Sequence, residues 1–188
     1  MKNFKPNAWL LPQPVLILGT YNADGSPNAM NAAWGGQWYH DEIFISLGSH
    51  ATTDNLNRCG DFTVSFATRD TLVAADYVGL STARRNPDKM KRTGWTSSKG
   101  ETVDAPVFDC FPMTLECRVK EKIHESEHGV YLVGEILNIV CDESYLDPED
   151  GLPDVERMGL ITFDPVHNGY ISLGERVGNA FHDGGTLK

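Results

Sequence analysis

Residues 46–56 read Ser-Leu-Gly-Ser-His-Ala-Thr-Thr-Asp-Asn-Leu. An apolar run, Ile43 to Leu47, ends there in small and hydroxylated side chains and then opens into a helical pattern. That order brings Ser46, Ser49, Thr52 and Thr53, backbone N–H groups and the imidazole of His50 to a helix N-terminus. Aligned peptide dipoles at such an end favour an anion, for example a phosphate. Thr52, Thr53 and Asp54 are equally the residue types that cap a helix and bind nothing. A second stretch, Asn28-Ala29-Met30-Asn31-Ala32-Ala33-Trp34, is unusual as a strand because Ala and Asn pack poorly on a pleated surface. Small side chains there let a flat ligand lie against the backbone, with N–H and C=O groups reading its edge. Trp34 or Trp38 would flank its ring. The same alanines would also fit a tight barrel interior.

Arg84, Arg85, Lys89, Lys91 and Arg92 place five of the chain's 16 basic residues within one short segment. Two readings stand side by side, an approach for an anionic ligand and a solvated helix face. His128 lies in a turn before a long strand, where a histidine is incidental or donates to a ligand.

The elements that must position these residues are mostly strands. Apolar and alternating runs predict strands over 14–21, 28–34, 42–48, 61–67, 113–122 and 130–140, with short ones near 160–163 and 170–173. Asn22-Ala23-Asp24-Gly25-Ser26-Pro27 supplies turn chemistry between the first two. Three short helices are predicted. One spans 53–59 with Gly60 as its left-handed end, and one starts from an Asp70 cap with Leu72, Ala75 and Val78 on its apolar face. The third covers 87–93, with Asn86 as cap, Pro87 first and Gly94 just past its end. Many strands without βαβ alternation point to an antiparallel barrel or sandwich.

The remaining bounds come from composition. The chain has 188 residues, a formal net charge of −10 and 40% apolar residues, consistent with one globular domain over 1–188. The negative charge argues against nucleic acid or an anionic membrane as partner. No apolar run is long enough to span a bilayer. Pro6, Pro12 and Pro14 interrupt any signal-peptide core, so the protein is expected in the cytoplasm. Cys59, Cys110, Cys117 and Cys141 stand apart without ligand spacing, so neither a metal site nor a disulfide framework is expected. No G-x-G-x-x-G or G-x-S-x-G pattern occurs, and no catalytic side chain is assigned.

Several segments, in this order, resemble the flavin reductase-like family of FMN-binding split barrels, and within it the flavoredoxin branch. The matching pieces are Pro14 to Thr20, Asp24 to Trp34, Ile45 to Leu56, Gly60 to Ser65, Ala105-Pro106, Leu115 to Val119 and Val133 to Ile136. The resemblance implies a mainly β fold, a six-stranded antiparallel Greek-key split barrel with a few short peripheral helices. It also implies a homodimer with FMN at the subunit interface. By the same resemblance, Asn31, Ala32, Ala33 and Trp34 run along the isoalloxazine edge, and Ser46 and Leu47 continue that wall. Ser49, His50, Ala51, Thr52 and Thr53 would hold the phosphate, and Asn55 would fix the start of the helix.

Two departures bear on the site. Family members often carry Arg or Lys in the phosphate loop. Here no cation follows His50 until Arg58, unless the 84–92 cluster supplies one. Many flavin reductases have glycine five residues after a nicotinamide-placing histidine, whereas here His128 precedes Gly134 by six. His128, Arg84 and Arg85 are the residues expected toward a nicotinamide dinucleotide. The implied function is hydride transfer from NADH or NADPH to bound FMN and on to a small-molecule or protein acceptor. The alternative is a flavoredoxin-type FMN electron carrier reduced by a protein partner. A third reading is a barrel or sandwich without flavin that holds haem or another apolar ligand. A neutral ligand would leave the phosphate-loop residues unexplained.

Overall fold

The computed structural model describes residues 1–187. In chain order the first elements are β1 (Gln13–Pro14), β2 (Leu16–Tyr21), β3 (Pro27–Ala32), β4 (Gly35–Tyr39), β5 (Glu42–Gly48), α1 (Ala51–Cys59) and β6 (Asp61–Phe66). There follow α2 (Leu72–Leu80), α3 (Lys89–Thr93), β7 (Ser97–Lys99), β8 (Pro106–Phe108), β9 (Met113–Ser126) and β10 (Gly129–Cys141). The last strands are β11 (Ile161–Asp164) and β12 (Gly169–Ser172).

The main sheet is antiparallel throughout, with order β3-β2-β6-β9-β10-β5-β4. Laid flat, seven strands would separate its edges by roughly 29 Å. Yet edge strands β3 and β4 are joined only by Ala33 and Trp34, a link that reaches roughly 10 Å. The sheet therefore has to curl until its edges meet. At the meeting point Ser46 N–H donates to the Trp34 carbonyl at 2.8 Å. No ladder joins β3 to β4 or β5 among the described residues, so the barrel is split along this seam.

Curvature is helped by register shifts between β9 and β10 at Tyr131/Leu132, Val133/Gly134 and Ile136/Asn138. Gly134 permits the closest approach, since a Cβ there would lie 2.5 Å from the Phe62 ring inside the barrel. The barrel interior is filled by residues including Leu16, Leu18, Ile45, Leu47, Phe62, Val64, Leu115 and Leu132. A second cluster packs Val15 and Ile17 of the β1–β2 run against α2, Phe108, Phe111 and Ile161. With both faces covered, that run reads as continuous apolar residues instead of alternating ones.

The six strands that make up the expected barrel are β2, β3, β5, β6, β9 and β10, and β4 adds a seventh. Its Gly35-Gly36 start hid it from the sequence, although Gly35 is where a Cβ would meet the Phe44 carbonyl at 2.8 Å. β3 accordingly ends at Ala32 and not at Trp34. The β7–β8 hairpin was not anticipated either. α1 starts at Ala51, two residues before the expected start, because His50 is the N-cap instead of a threonine or Asp54. α2 is capped by Thr71, not Asp70, since the Thr68 and Thr71 hydroxyls and amides bond one another. α3 begins at Lys89, not Pro87, because Asn86 closes a tight turn through Lys89 N–H to its carbonyl at 3.0 Å. Gly60 and Gly94 do end α1 and α3 in the left-handed conformation.

Gly134→Ala should lower the urea midpoint by an amount equal to about 1–3 kcal/mol, with the slope unchanged, because a methyl group must displace Phe62. An unchanged midpoint would mean that β10 does not pass this close to the core.

Candidate functional site

The seam opens into a cleft of about 390 Å³. One wall is Met30, Asn31, Ala32, Ala33 and Trp34, and the other is Ser46, Leu47, Gly48 and His50. α2 and the small sheet close it with Asp76, Gly79, Leu80, Phe163 and Tyr170. The side chain of Asn31 does not point free into the space. Its Nδ2 donates to the Ala75 carbonyl at 3.0 Å and so ties β3 to α2. Tyr170 Oη donates to Asp76 Oδ1 at 2.7 Å. Burial, with that carboxylate beside it, pushes the phenol up to about 12, so it stays neutral. Tyr170, Phe163 and Asp76 come from elements remote in the chain, and nothing in their local sequence signalled a site.

Two smaller hollows continue the cleft past His50 and Gly79. One, of about 60 Å³, is lined by Asn28, His50, Ala51, Thr52, Ser81, Thr82 and Lys89. The other, of about 310 Å³, is lined by Ser49, His50, Ser81, Thr82, Arg84 and Arg85. The N-terminal end of α1 lies between them. Its first α-helical hydrogen bond is Asp54 N–H to the His50 carbonyl at 3.2 Å. The amides of Ala51 and Thr52 precede it and have no partner within the helix, whereas the Thr53 amide faces the His50 side chain in a capping box.

Each residue expected at the phosphate has a definite place. Thr52 Oγ1 accepts from Asn28 Nδ2 at 3.0 Å, which leaves the threonine proton to be donated elsewhere. Thr53 Oγ1 donates to the Gly48 carbonyl at 2.6 Å and is turned away from the cleft as a loop brace. Asn55 ties α1 to the first hairpin through Thr20 Oγ1 at 3.0 Å and Asn22 Oδ1 at 3.1 Å. Neither Thr53 nor Asn55 lines the three spaces. His50 does line all three. Burial, then Arg84 and Lys89, hold its imidazole below the usual histidine value, so it is neutral at pH 7.

Of the basic cluster, Arg84 clamps the loop. Its Nε and Nη2 meet the Asp54 carboxylate at 2.9 and 2.7 Å, and Nη2 also reaches the His50 carbonyl at 3.3 Å. Arg85 is exposed at the outer mouth, and Lys91 pairs with Asp88 on the surface. Lys89 is different. It is only 3% exposed, and burial alone drives its ammonium down to about 8, with no charged partner beside it. In a chain of net charge −10 this is a buried cation lacking a counterion. Asn28, whose Oδ1 is buried without a partner, lines the same hollow. The sequence showed Lys89 only as one member of a charge run.

His128 sits at the β9–β10 turn with its ring 86% exposed and only Glu127 nearby, at 3.6 Å. Its backbone carbonyl, however, accepts from Ser49 N–H at 3.0 Å and so holds the β5–α1 loop from the far side.

The split-barrel fold and the sequence match a known class. Residues 9–155 match the model of the flavin reductase like domain, and the chain belongs to that family. Flavoredoxin of Desulfovibrio vulgaris (Miyazaki F) superposes with a TM-score of 0.91 at 34% identity, over 98% of this chain and 99% of that one. Flavoredoxin from Methanosarcina acetivorans gives 0.88 at 27% identity over the whole of both chains. An uncharacterised protein of Archaeoglobus fulgidus is 29% identical over 133 residues, 69% of this chain and 72% of that protein. The chain is thus similar to flavoredoxins over its full length.

Keeping Lys89 charged while buried costs on the order of 3 kcal/mol. Lys89→Met should therefore stabilise the FMN-free protein by about 1–3 kcal/mol at pH 7. Its folded pKa lies below the ordinary 10.5, so between pH 8 and 10.5 the unfolded chain binds more protons and stability rises with pH. That rise should be missing from the variant. Urea unfolding at pH 7 and 9.5 checks both points, and a variant less stable than the parent would contradict them.

Proposed function

We propose that this protein is an FMN-dependent oxidoreductase in which the flavin lies along the seam, its phosphate at the start of α1 against Lys89. The observation that carries this reading is the buried, unpartnered ammonium in a hollow that is also lined by Ala51 and Thr52 at the start of α1. A phosphate supplies the missing counterion and accepts from those donors. The residues therefore fit the cofactor that the family implies. Thr52 donates its hydroxyl proton, Arg84 holds the loop through Asp54, and neutral His50 lines the passage between ring and phosphate.

Along the seam, Ala32 and Ala33 bring backbone groups close to a planar ring, while Ser46 and Leu47 supply the facing wall. Phe163 and Tyr170, with ring centroids 6.1 Å apart, close the inner end. FMN, when bound, would supply hydride-accepting and electron-passing chemistry, while the residues of the seam would bind, orient and screen it. Trp34, about half exposed, and the open mouth at Ser49 and Arg85 leave one side of the cleft without a wall. A second copy of the chain supplies that wall in our reading, as a homodimer in the cytoplasm. Among the described residues no helix is long and apolar enough to cross a membrane.

The reductant in this reading is NADH or NADPH, entering at the Arg85 mouth, and the acceptor is a small molecule or a protein. One set of observations favours the alternative, an electron carrier reduced by a protein partner. Arg84 is already committed to Asp54 and the His128 ring stands in solvent, so two residues expected toward a nicotinamide are not poised for it.

Anaerobic absorbance spectra of the FMN-loaded protein test these readings together. Bleaching of flavin bands on adding NADH or NADPH supports the first, and bands that persist until a protein reductant or dithionite is added support the second. Lys89→Gln should weaken FMN binding about 10- to 150-fold, as expected for one charge-assisted contact. Unchanged affinity would place the phosphate elsewhere.

A further inference from the structure

The cleft along the seam is electrically uneven. Its α1 end gathers His50, Arg84, Arg85 and Lys89 around the two smaller hollows. Among the described residues that line the cleft itself, Asp76 is the only one of the Asp, Glu, Lys and Arg types. The other two ionisable side chains there are neutral at pH 7. Burial, then Arg84 and Lys89, hold His50 below its usual value, and burial with Asp76 beside it pushes Tyr170 up to about 12.

The position of Asp76 follows from α2. Asp76, Gly79 and Leu80 share one helix face by their spacing. Gly79 sits close to β3, where a Cβ on it would lie 3.1 Å from Asn31 Cβ, and it lines the cleft and both hollows. Asp76, one turn earlier, lines the cleft alone. It therefore stands at the end of the seam remote from the β5–α1 loop, where the ring lies in our reading and the phosphate does not. Its side chain is fixed in place without being neutralised. Tyr170 Oη donates to Oδ1 at 2.7 Å, and Asp76 enters no ion pair among the described residues. Tyr170 is itself anchored, since it pairs across the small sheet with Phe163 and both rings pack on the second core cluster. Partial burial of a carboxylate without a counter-charge is unfavourable. An asparagine would accept the same tyrosine proton without that cost. The tie between β12 and α2 thus explains an acceptor at this position but not a charge.

We propose that the Asp76 carboxylate sets the redox poise of the flavin, making bound FMN a stronger reductant than it would be beside a neutral side chain. This rests on the FMN reading given above and concerns the direction in which that site drives electrons. The basis is Coulombic. Reduction adds electron density to the ring, and a fixed negative charge at its edge disfavours that gain. In a cleft walled by Leu80, Phe163 and Tyr170, water screens the interaction less than it would in bulk. Oxidised FMN is then held more tightly than reduced FMN, so the site gives up electrons more readily than it takes them, and its reductant must be low in potential. Asp76 tunes the ring, and Tyr170 positions Asp76.

The midpoint potential of FMN bound to the full-length chain, read anaerobically against reference dyes, tests the proposal together with the affinity for oxidised FMN. Asp76→Asn keeps the tyrosine tie and removes the charge. It should raise the preference for reduced over oxidised FMN about tenfold or more, a midpoint rise of roughly 30 mV for two electrons. Asp76→Ser should move the potential in the same direction, and Asp76→Glu should stay with the parent. Tyr170→Phe, which breaks the tie and leaves the charge, should change the preference by less than about threefold. Circular dichroism melts check that each variant folds. Asn and Ser variants that hold FMN at the parent's potential would overturn the proposal. So would a Tyr170→Phe shift as large as that of Asp76→Asn, because the tie and not the charge would then govern the ring. A parent that binds no FMN would remove the FMN reading and this inference together, whereas bound FMN with an unmoved potential removes this inference alone.

Discussion

Strands at opposite edges of a seven-stranded sheet are joined in this protein by two residues, Ala33 and Trp34. That short link does not allow the sheet to stay open, and most of the molecule follows from it. The sheet curls, the apolar face of β2, β5, β6 and β9 becomes an interior, and Gly134 and the β9–β10 bulges absorb the bending. Because β3 and β4 meet without a ladder, the closure leaves a seam whose backbone groups are not all used by neighbouring strands. The seam is the cleft. The small side chains at 32 and 33, poor choices for an ordinary strand, suit a wall that something flat can approach.

Charge is arranged around the same opening. The chain as a whole is acidic, yet His50, Arg84, Arg85 and Lys89 gather at one end of the seam. Their duties differ. Arg84 is tied to Asp54 and shapes the loop. His50 is kept neutral by burial and by its cationic neighbours. Lys89 is the one held out of water with no charged partner, the observation on which our placement of the phosphate rests. α3 is short and its first turn is tight, so Lys89 points inward while Lys91 stays on the surface with Asp88.

Much of this was legible in the residues. Alternation located β5, β6, β9 and β10, and glycines 60 and 94 located two helix ends, because period and left-handed caps are local signals. β4 was not legible, since Gly35 and Gly36 read as a break and the need for glycine at 35 comes from Phe44, across the sheet. Nor was the difference between Thr52 and Thr53. Adjacent and chemically alike, they point to different partners, Asn28 and the Gly48 carbonyl, and only the packing of α1 separates them. Lys89 could be seen as a charge but not as a buried one, because burial depends on α2 and β3 closing over it. Tyr170 and Asp76 meet across half the chain length, a contact that no local pattern encodes.

The central claim is that the phosphate group, held by the start of α1 and Lys89, anchors the cofactor. Calorimetric titration of the flavin-free protein with FMN and with riboflavin, which shares the ring and lacks the phosphate, tests it most directly. FMN binding at least 100-fold tighter than riboflavin, with the difference shrinking as pH rises past 8, is the predicted result. Equal affinity for the two, or no binding of either, would contradict it.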